Sequence, residues 1–174
     1  AINCALFGLK NPDFDSLSIP VVGIVSADTD QSEVRRSLVE QLAAGYKTIK
    51  VKIGFDPEKD AARLQSYVDL APEDVSFRVD ANQGYDLNDA RRFLDLAPID
   101  RLQVVEQPLP VGRLDDHAAL HTEYDVTIML DEEIRTAADL ETAVAADAAG
   151  AVKFKLMKVG SVEETIKLVN RARQ

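Results

Sequence analysis

Cysteine is nearly missing: Cys4 is the only one among 174 residues. A lone cysteine can close no intrachain disulfide and builds no thiolate cluster for zinc, so a reducing cytoplasm is the expected compartment. Histidine is scarce too, with only His117 and His121. They stand one turn apart in a predicted helix, without an HExxH pattern or a carboxylate partner, and a surface helix face is their expected place. Positive charge is in deficit. Twenty Lys and Arg face thirty Asp and Glu, for a formal net charge of −10 and a pI near 4.7, which argues against nucleic acid or an anionic membrane as the main partner. No apolar run approaches the roughly 20 residues that span a bilayer. The opening Ala1-Ile2-Asn3-Cys4-Ala5-Leu6 has no basic stretch and is too short for a signal peptide.

What remains is the composition of an ordinary globular domain, 46% hydrophobic and 29% charged, long enough to bury a core. Its organising feature is a series of short apolar runs, each ending on a charged residue. Thr48-Ile49-Lys50-Val51 leads to Lys52, Val75-Ser76-Phe77-Arg78-Val79 to Asp80, and Leu102-Gln103-Val104-Val105 to Glu106. Val126-Thr127-Ile128-Met129-Leu130 leads to Asp131, and Ala151-Val152-Lys153-Phe154 to Lys155. The steps between the charged ends are 28, 26, 25 and 24 residues. A strand, a return helix and two loops take about that length, so the chain reads as an α/β protein with a parallel sheet of βα units.

The strands are predicted at 19–25, 48–53, 75–80, 102–106, 126–131 and 151–156. Between them the helices fall at 32–44, from Pro57 to Pro72, 88–96, near 114–122 and 137–148, with a last one at 162–172. Gly45 supplies the stop of the first, Pro57 the start of the second, and Ser161 with Glu164 a capping box for the last. Ile2, Leu6 and Leu9 have helical spacing, broken by Asn11-Pro12-Asp13. Gly84 and Tyr85 read as a turn.

Charged groups at the C-terminal ends of parallel strands lie where such folds place their chemistry. Three carboxylates there, Asp80, Glu106 and Asp131, form an oxygen-only set suited to a hard cation, Mg²⁺ or Mn²⁺. Lys52 and Lys155 can move protons, and Lys50 shares the face of Lys52 because strand side chains alternate.

With these residues in view, the chain resembles the barrel domain of the enolase superfamily, and more narrowly its muconate-lactonizing subgroup. The matching pieces are Lys50-Val51-Lys52, Asp80-Ala81-Asn82, Glu106-Gln107-Pro108, Asp131-Glu132 and Lys155-Leu156-Met157-Lys158, across about residues 46–172. The resemblance implies a (β/α) TIM-barrel-type fold, with Asp80, Glu106 and Asp131 holding Mg²⁺. Lys52 and Lys155 would be the acid/base pair, with Lys50 and Asn82 in support. It implies removal of a proton α to a carboxylate with stabilisation of the ene-diolate. The lysine acting as base must then be neutral, its pKa brought down from about 10.4 toward ~7–8. A cation and Lys50 push that way, while the carboxylates push back.

The wording around Lys155 is most similar to dipeptide epimerases of the alanyl-glutamate type. o-Succinylbenzoate synthase, N-acylamino acid racemase and muconate cycloisomerase are the alternatives. The implied partner is a small carboxylate such as a dipeptide. Six βα units fall short of a closed eight-stranded barrel, which takes about 250 residues. Residues 1–18 are therefore expected to be a remnant of the link to a capping domain, and 19–174 a partial barrel without strands seven and eight. An open sheet, a homo-oligomer or completing chain, and a fragment serving only as an association module all stay open. Ser161 stands where that family commonly has a second glycine.

Overall fold

The strands form because β-branched and aromatic residues alternate with polar ones. In Thr48–Lys52, Ile49 and Val51 are buried while Thr48, Lys50 and Lys52 are half-buried. Ser76–Asp80 repeats the pattern with Phe77 and Val79 in the core. The computed structural model describes residues 21–25 and 31–174. Within them lie β1 Gly23–Val25, β2 Thr48–Lys52, β3 Ser76–Asp80, β4 Leu102–Glu106, β5 Thr127–Leu130 and β6 Ala151–Val152. They form one sheet in the order β1-β2-β3-β4-β5-β6 with every pairing parallel.

The connecting helices are α1 Gln31–Ala43, α2 Pro57–Val68, α3 Leu87–Leu96, α4 Leu114–Glu123 and α5 Ala137–Ala145. A short α6, Leu156–Val159, and α7, Val162–Ala172, follow β6. Leu38 of α1, Leu64 of α2, Phe93 of α3 and Leu120 of α4 share one cluster with Ile49, Phe77, Val79, Val105 and Ile128. A second cluster joins Leu130 of β5 to Leu140 of α5 and Leu168 of α7. Fully burying each such side chain contributes about 1.5–3 kcal/mol.

Helix starts agree with the sequence signals. Asp56 accepts the Lys59 N–H at 3.0 Å with Pro57 in the first turn, and Gly45 ends α1 at φ +89°. Ser161 accepts the Glu164 N–H at 3.0 Å, but the Glu164 carboxylate turns to Lys167 instead of completing the box. A complete capping box forms elsewhere, between Thr136 and Asp139.

Four expectations need correction. The sixth strand is not 151–156. Its ladder covers Ala151–Val152, one further bond runs from Lys153 N–H to Leu130 at 2.8 Å, and Lys155 already caps α6. The helix expected over 137–148 ends at Ala145, because Asp147 takes a left-handed conformation at φ +50° and Ala148 N–H bonds back to Ala143. His117 is not on a surface face: it is fully buried, its ring bonded to the Arg113 carbonyl at 2.9 Å. Tyr85 is more than a turn residue, since its ring is in the core against Phe93. The predicted helix over the first ten residues, its break at Asn11-Pro12-Asp13, the link 1–18 and the Ile19-Pro20 start of the first strand lie outside the described residues.

Candidate active site

Parallel register carries the charged residues to one rim. Lys52 is the ladder partner of Asp80, and Asp80 of Glu106. Glu106 pairs with Met129, so Asp131 stands one pleat beyond it on the same face. The N–H of Lys153 continues the β5–β6 ladder beside Asp131.

The three carboxylates are buried, and lysines close on each of them. Lys50 Nζ lies 2.8 Å from Asp80 and 2.6 Å from Glu106, spanning the two. Lys52 reaches Asp80 at 2.6 Å and bonds the Asn82 side-chain oxygen. Lys153 meets Glu106 at 2.6 Å and Asp131 at 3.7 Å. Lys155 and Lys158 hold opposite oxygens of Asp131 at 2.5 and 2.8 Å. Every residue expected at the site is therefore brought to this rim. Lys153 and Lys158 join it as well. The first was visible as a second Lys-x-Lys, and the second stands three residues after Lys155, on the same side of a helical turn.

The charges set one another. Burial opposes an ammonium at Lys50, but its bonds to Asp80 and Glu106 outweigh burial and hold its pKa above the ordinary lysine value. Burial likewise works to raise Asp80, yet the bonds from Lys50 and Lys52 bring it below the usual carboxylate range. At Asp131 burial again pushes up, while the bonds from Lys155 and Lys158 and the charge of Lys153 bring the pKa down to about 2. The bond to Asp131 raises Lys155, with burial opposing.

Backbone geometry supports the rim. Asn82, at φ +44°, points its N–H at Asp80 Oδ1 (3.0 Å) and donates its side-chain amide to Glu132 at 3.0 Å. Gln107 is fully buried at φ +38°, and its side-chain oxygen accepts the Asp131 N–H at 2.8 Å and the Glu133 N–H at 3.3 Å. That role is not written in a Glu-Gln-Pro string, because it depends on where β5 ends. A cavity of about 310 Å³ lined by Gln103, His121 and Tyr124 includes Leu102 and Thr127, the first residues of β4 and β5, and so lies at the other end of the sheet.

The donor chemistry suits a divalent cation. Only carboxylate oxygens converge, and ammonium groups already stand in the gaps between them as positive charges. With the lysines in those gaps, no group of three acidic, His or Cys side chains among the described residues has the spacing of a metal site.

Residues 33–174 match the family described as enolase C-terminal domain-like. The chain belongs to that family. Among its relatives, the L-Lys-D/L-Arg epimerase of Methylococcus capsulatus is 35% identical over 85% of this chain and 41% of its own length. The N-succinyl-L-Arg/Lys racemase of Bacillus cereus is 27% identical over 88% of this chain and 42% of its own. A Roseovarius nubinhibens protein of the mandelate racemase/muconate-lactonizing kind, solved in complex with magnesium, superimposes with a TM-score of 0.79. It is 25% identical, over 91% of this chain and 44% of that one. The chain thus spans less than half the length of these relatives, and its six-stranded sheet corresponds to part of a (β/α) barrel. No helix among the described residues is long and apolar enough to cross a membrane.

Proposed function

We propose that the protein is an isomerase that withdraws and returns a proton α to a carboxylate, racemising or epimerising a small substrate such as a dipeptide. One observation carries this reading: Lys52 at the end of β2 and Lys155 beyond β6 flank, on one face, the carboxylates that end β3 and β4 and directly follow β5. A lysine on each side gives one group to take a proton from one face of the substrate carbon and another to deliver one to the opposite face.

Asp80, Glu106 and Asp131 would hold Mg²⁺, with Mn²⁺ as an alternative. The cation would supply Lewis-acid compensation for the second negative charge that proton removal places on the substrate carboxylate, an arrangement already described for enolase-superfamily sites. The magnesium in the Roseovarius relative supports that choice. Lys50 would hold Asp80 and Glu106 in place, and Asn82 would orient Lys52. Before it can act as a base, Lys155 must give up its bond to Asp131 and then its proton. A cytoplasmic location accompanies this reading. Residues 19–174 would be a partial barrel and residues 1–18 part of the link to a capping domain.

The experiment is proton exchange in D₂O with Mg²⁺ and a panel of dipeptides, read by NMR. The parent protein should epimerise and deuterate the α-carbon. Lys52→Ala and Lys155→Ala should each abolish epimerisation, while one of them still exchanges the α-proton of a single enantiomer. Full turnover in either variant removes the two-base reading. The absence of exchange in the parent across the panel would favour a role in association.

A further inference from the structure

We propose that Lys153 is a built-in competitor for the cation site: its ammonium spans Glu106 and Asp131, and it must withdraw before those carboxylates can hold a divalent ion. The inference rests on the metal-dependent reading above and assigns a regulator of that site.

Two lysines bridge neighbouring carboxylates, and they differ. Lys50, between Asp80 and Glu106, keeps contacts of 2.8 and 2.6 Å, and its side chain is 12% exposed. Lys153 holds Glu106 at 2.6 Å but Asp131 only at 3.7 Å, and it is 34% exposed. Lys50 is pinned, whereas Lys153 has an open path to solvent.

The partners of Lys153 also do not depend on it. Glu106 keeps Lys50, and Asp131 keeps both Lys155 and Lys158. Without Lys153, no carboxylate of the set is left unpaired. Its charge therefore weighs more against an incoming cation than for the fold. Five ammonium groups already surround three carboxylates, an excess of two positive charges before any divalent ion arrives, and Glu132 beside Asp131 removes one of them. Like charges a few ångströms apart in a partly buried site repel strongly. Relief of that repulsion requires one ammonium to leave, and of the two bridging lysines Lys153 is the freer.

The test is calorimetric Mg²⁺ titration, with thermal unfolding in EDTA and in Mg²⁺, of the parent protein, Lys153→Gln, Lys153→Arg and Asp131→Asn. Lys153→Gln should bind Mg²⁺ on the order of tenfold more tightly than the parent. Lys153→Arg, which keeps the charge, should resemble the parent, and Asp131→Asn should lose binding. The Mg²⁺-induced rise in unfolding temperature should be larger in Lys153→Gln than in the parent. A merely structural lysine would lower that temperature equally with and without the ion. In the unaltered protein, Mg²⁺ should increase acylation of Lys153 by an N-hydroxysuccinimide ester, read by peptide mass spectrometry, and leave the surface Lys47 unchanged. Equal Mg²⁺ affinity in parent and Lys153→Gln, or no change in Lys153 labelling while Mg²⁺ binds, overturns the competition and spares the metal reading. No Mg²⁺ binding by either folded protein overturns both.

Discussion

The Tyr85 hydroxyl donates to Asp60 Oδ2 at 2.6 Å, tying the loop after β3 to the first turn of α2. Asp60 is fully buried, and the same oxygen accepts the N–H groups of Gly54, Phe55 and Asp56 at 2.9, 2.9 and 3.2 Å. Arg63 holds its other oxygen at 2.5 Å. One carboxylate thus fixes the turn by which the chain leaves Lys52. Burial, reinforced by the bond to Asp60, pushes the Tyr85 phenol far above its ordinary pKa, so it stays a donor at neutral pH. Tyr85→Phe should cost about 1.5–3 kcal/mol in urea unfolding, as for a hydrogen bond to a charged group. Asp60→Ala, which takes the carboxylate from Arg63 and leaves three backbone N–H groups without their acceptor, should cost about 3–5 kcal/mol. A Tyr85→Phe protein as stable as the parent would show that the hydroxyl contributes nothing.

Gly84 lies against the same turn. A Cβ there would sit 2.2 Å from the Gly54 carbonyl oxygen and 2.7 Å from its Cα. Both are backbone atoms that no rotamer change can move. Gly84→Ala should therefore destabilise by about 1–3 kcal/mol or more and shift the loops after β2 and β3 apart. Denaturation midpoints read the first effect, and amide chemical shifts at Gly54 and Asn82 read the second. Unchanged shifts would contradict the close approach.

Gln107 links the end of β4 to the start of the Asp131 loop. Its side-chain nitrogen donates to the Leu109 carbonyl at 3.1 Å, while its oxygen serves the N–H groups of Asp131 and Glu133. Gln107→Leu keeps the bulk and strands these groups in a buried place, at a cost of about 1–3 kcal/mol. It should also weaken Mg²⁺ binding, because Asp131 loses the bond that positions its backbone. Equal Mg²⁺ affinity in a folded Gln107→Leu protein would separate this amide from the site.

His117 makes acid stability a local question. Burial lowers its pKa below the ordinary histidine value; its bond to Arg113 and the field of Asp116 pull the other way without prevailing. The unfolded chain therefore binds a proton that the folded one refuses. The stability from keeping this ring neutral is complete above the unfolded value of about 6.5 and is lost as pH falls through the lowered folded value. Unfolding midpoints between pH 8 and 5 should drop less steeply in His117→Asn than in the parent. Parallel profiles would place the acid sensitivity elsewhere.

The reach of the sequence differs between elements. The paired runs of Ile49 with Val51 and Phe77 with Val79, the helix start at Pro57 and the stop at Gly45 were readable because local periodicity and backbone preference set them. The end of β6 was not. Ala151 to Leu156 alternates acceptably for a strand, but the chain turns into α6 once Lys153 and Lys155 reach their carboxylates. His117 was misread for a related reason. Helical spacing tells which residues share a side, and only packing against the sheet tells which side is buried.

By itself the sequence determined a series of parallel βα units with a charged residue at or soon after the end of each strand from β2 on, since a step of 24–28 residues admits one βα unit and little else. The face of Lys50 and Lys52 followed from the pleat alone. Only the tertiary structure decided who pairs with whom. It set Lys50 between Asp80 and Glu106, Lys153 against Glu106 and Asp131, Lys158 on Asp131, and Asn82 between Lys52 and Glu132. Charge pairing acts over a few ångströms, and those distances exist only after strands far apart in sequence have been laid in register.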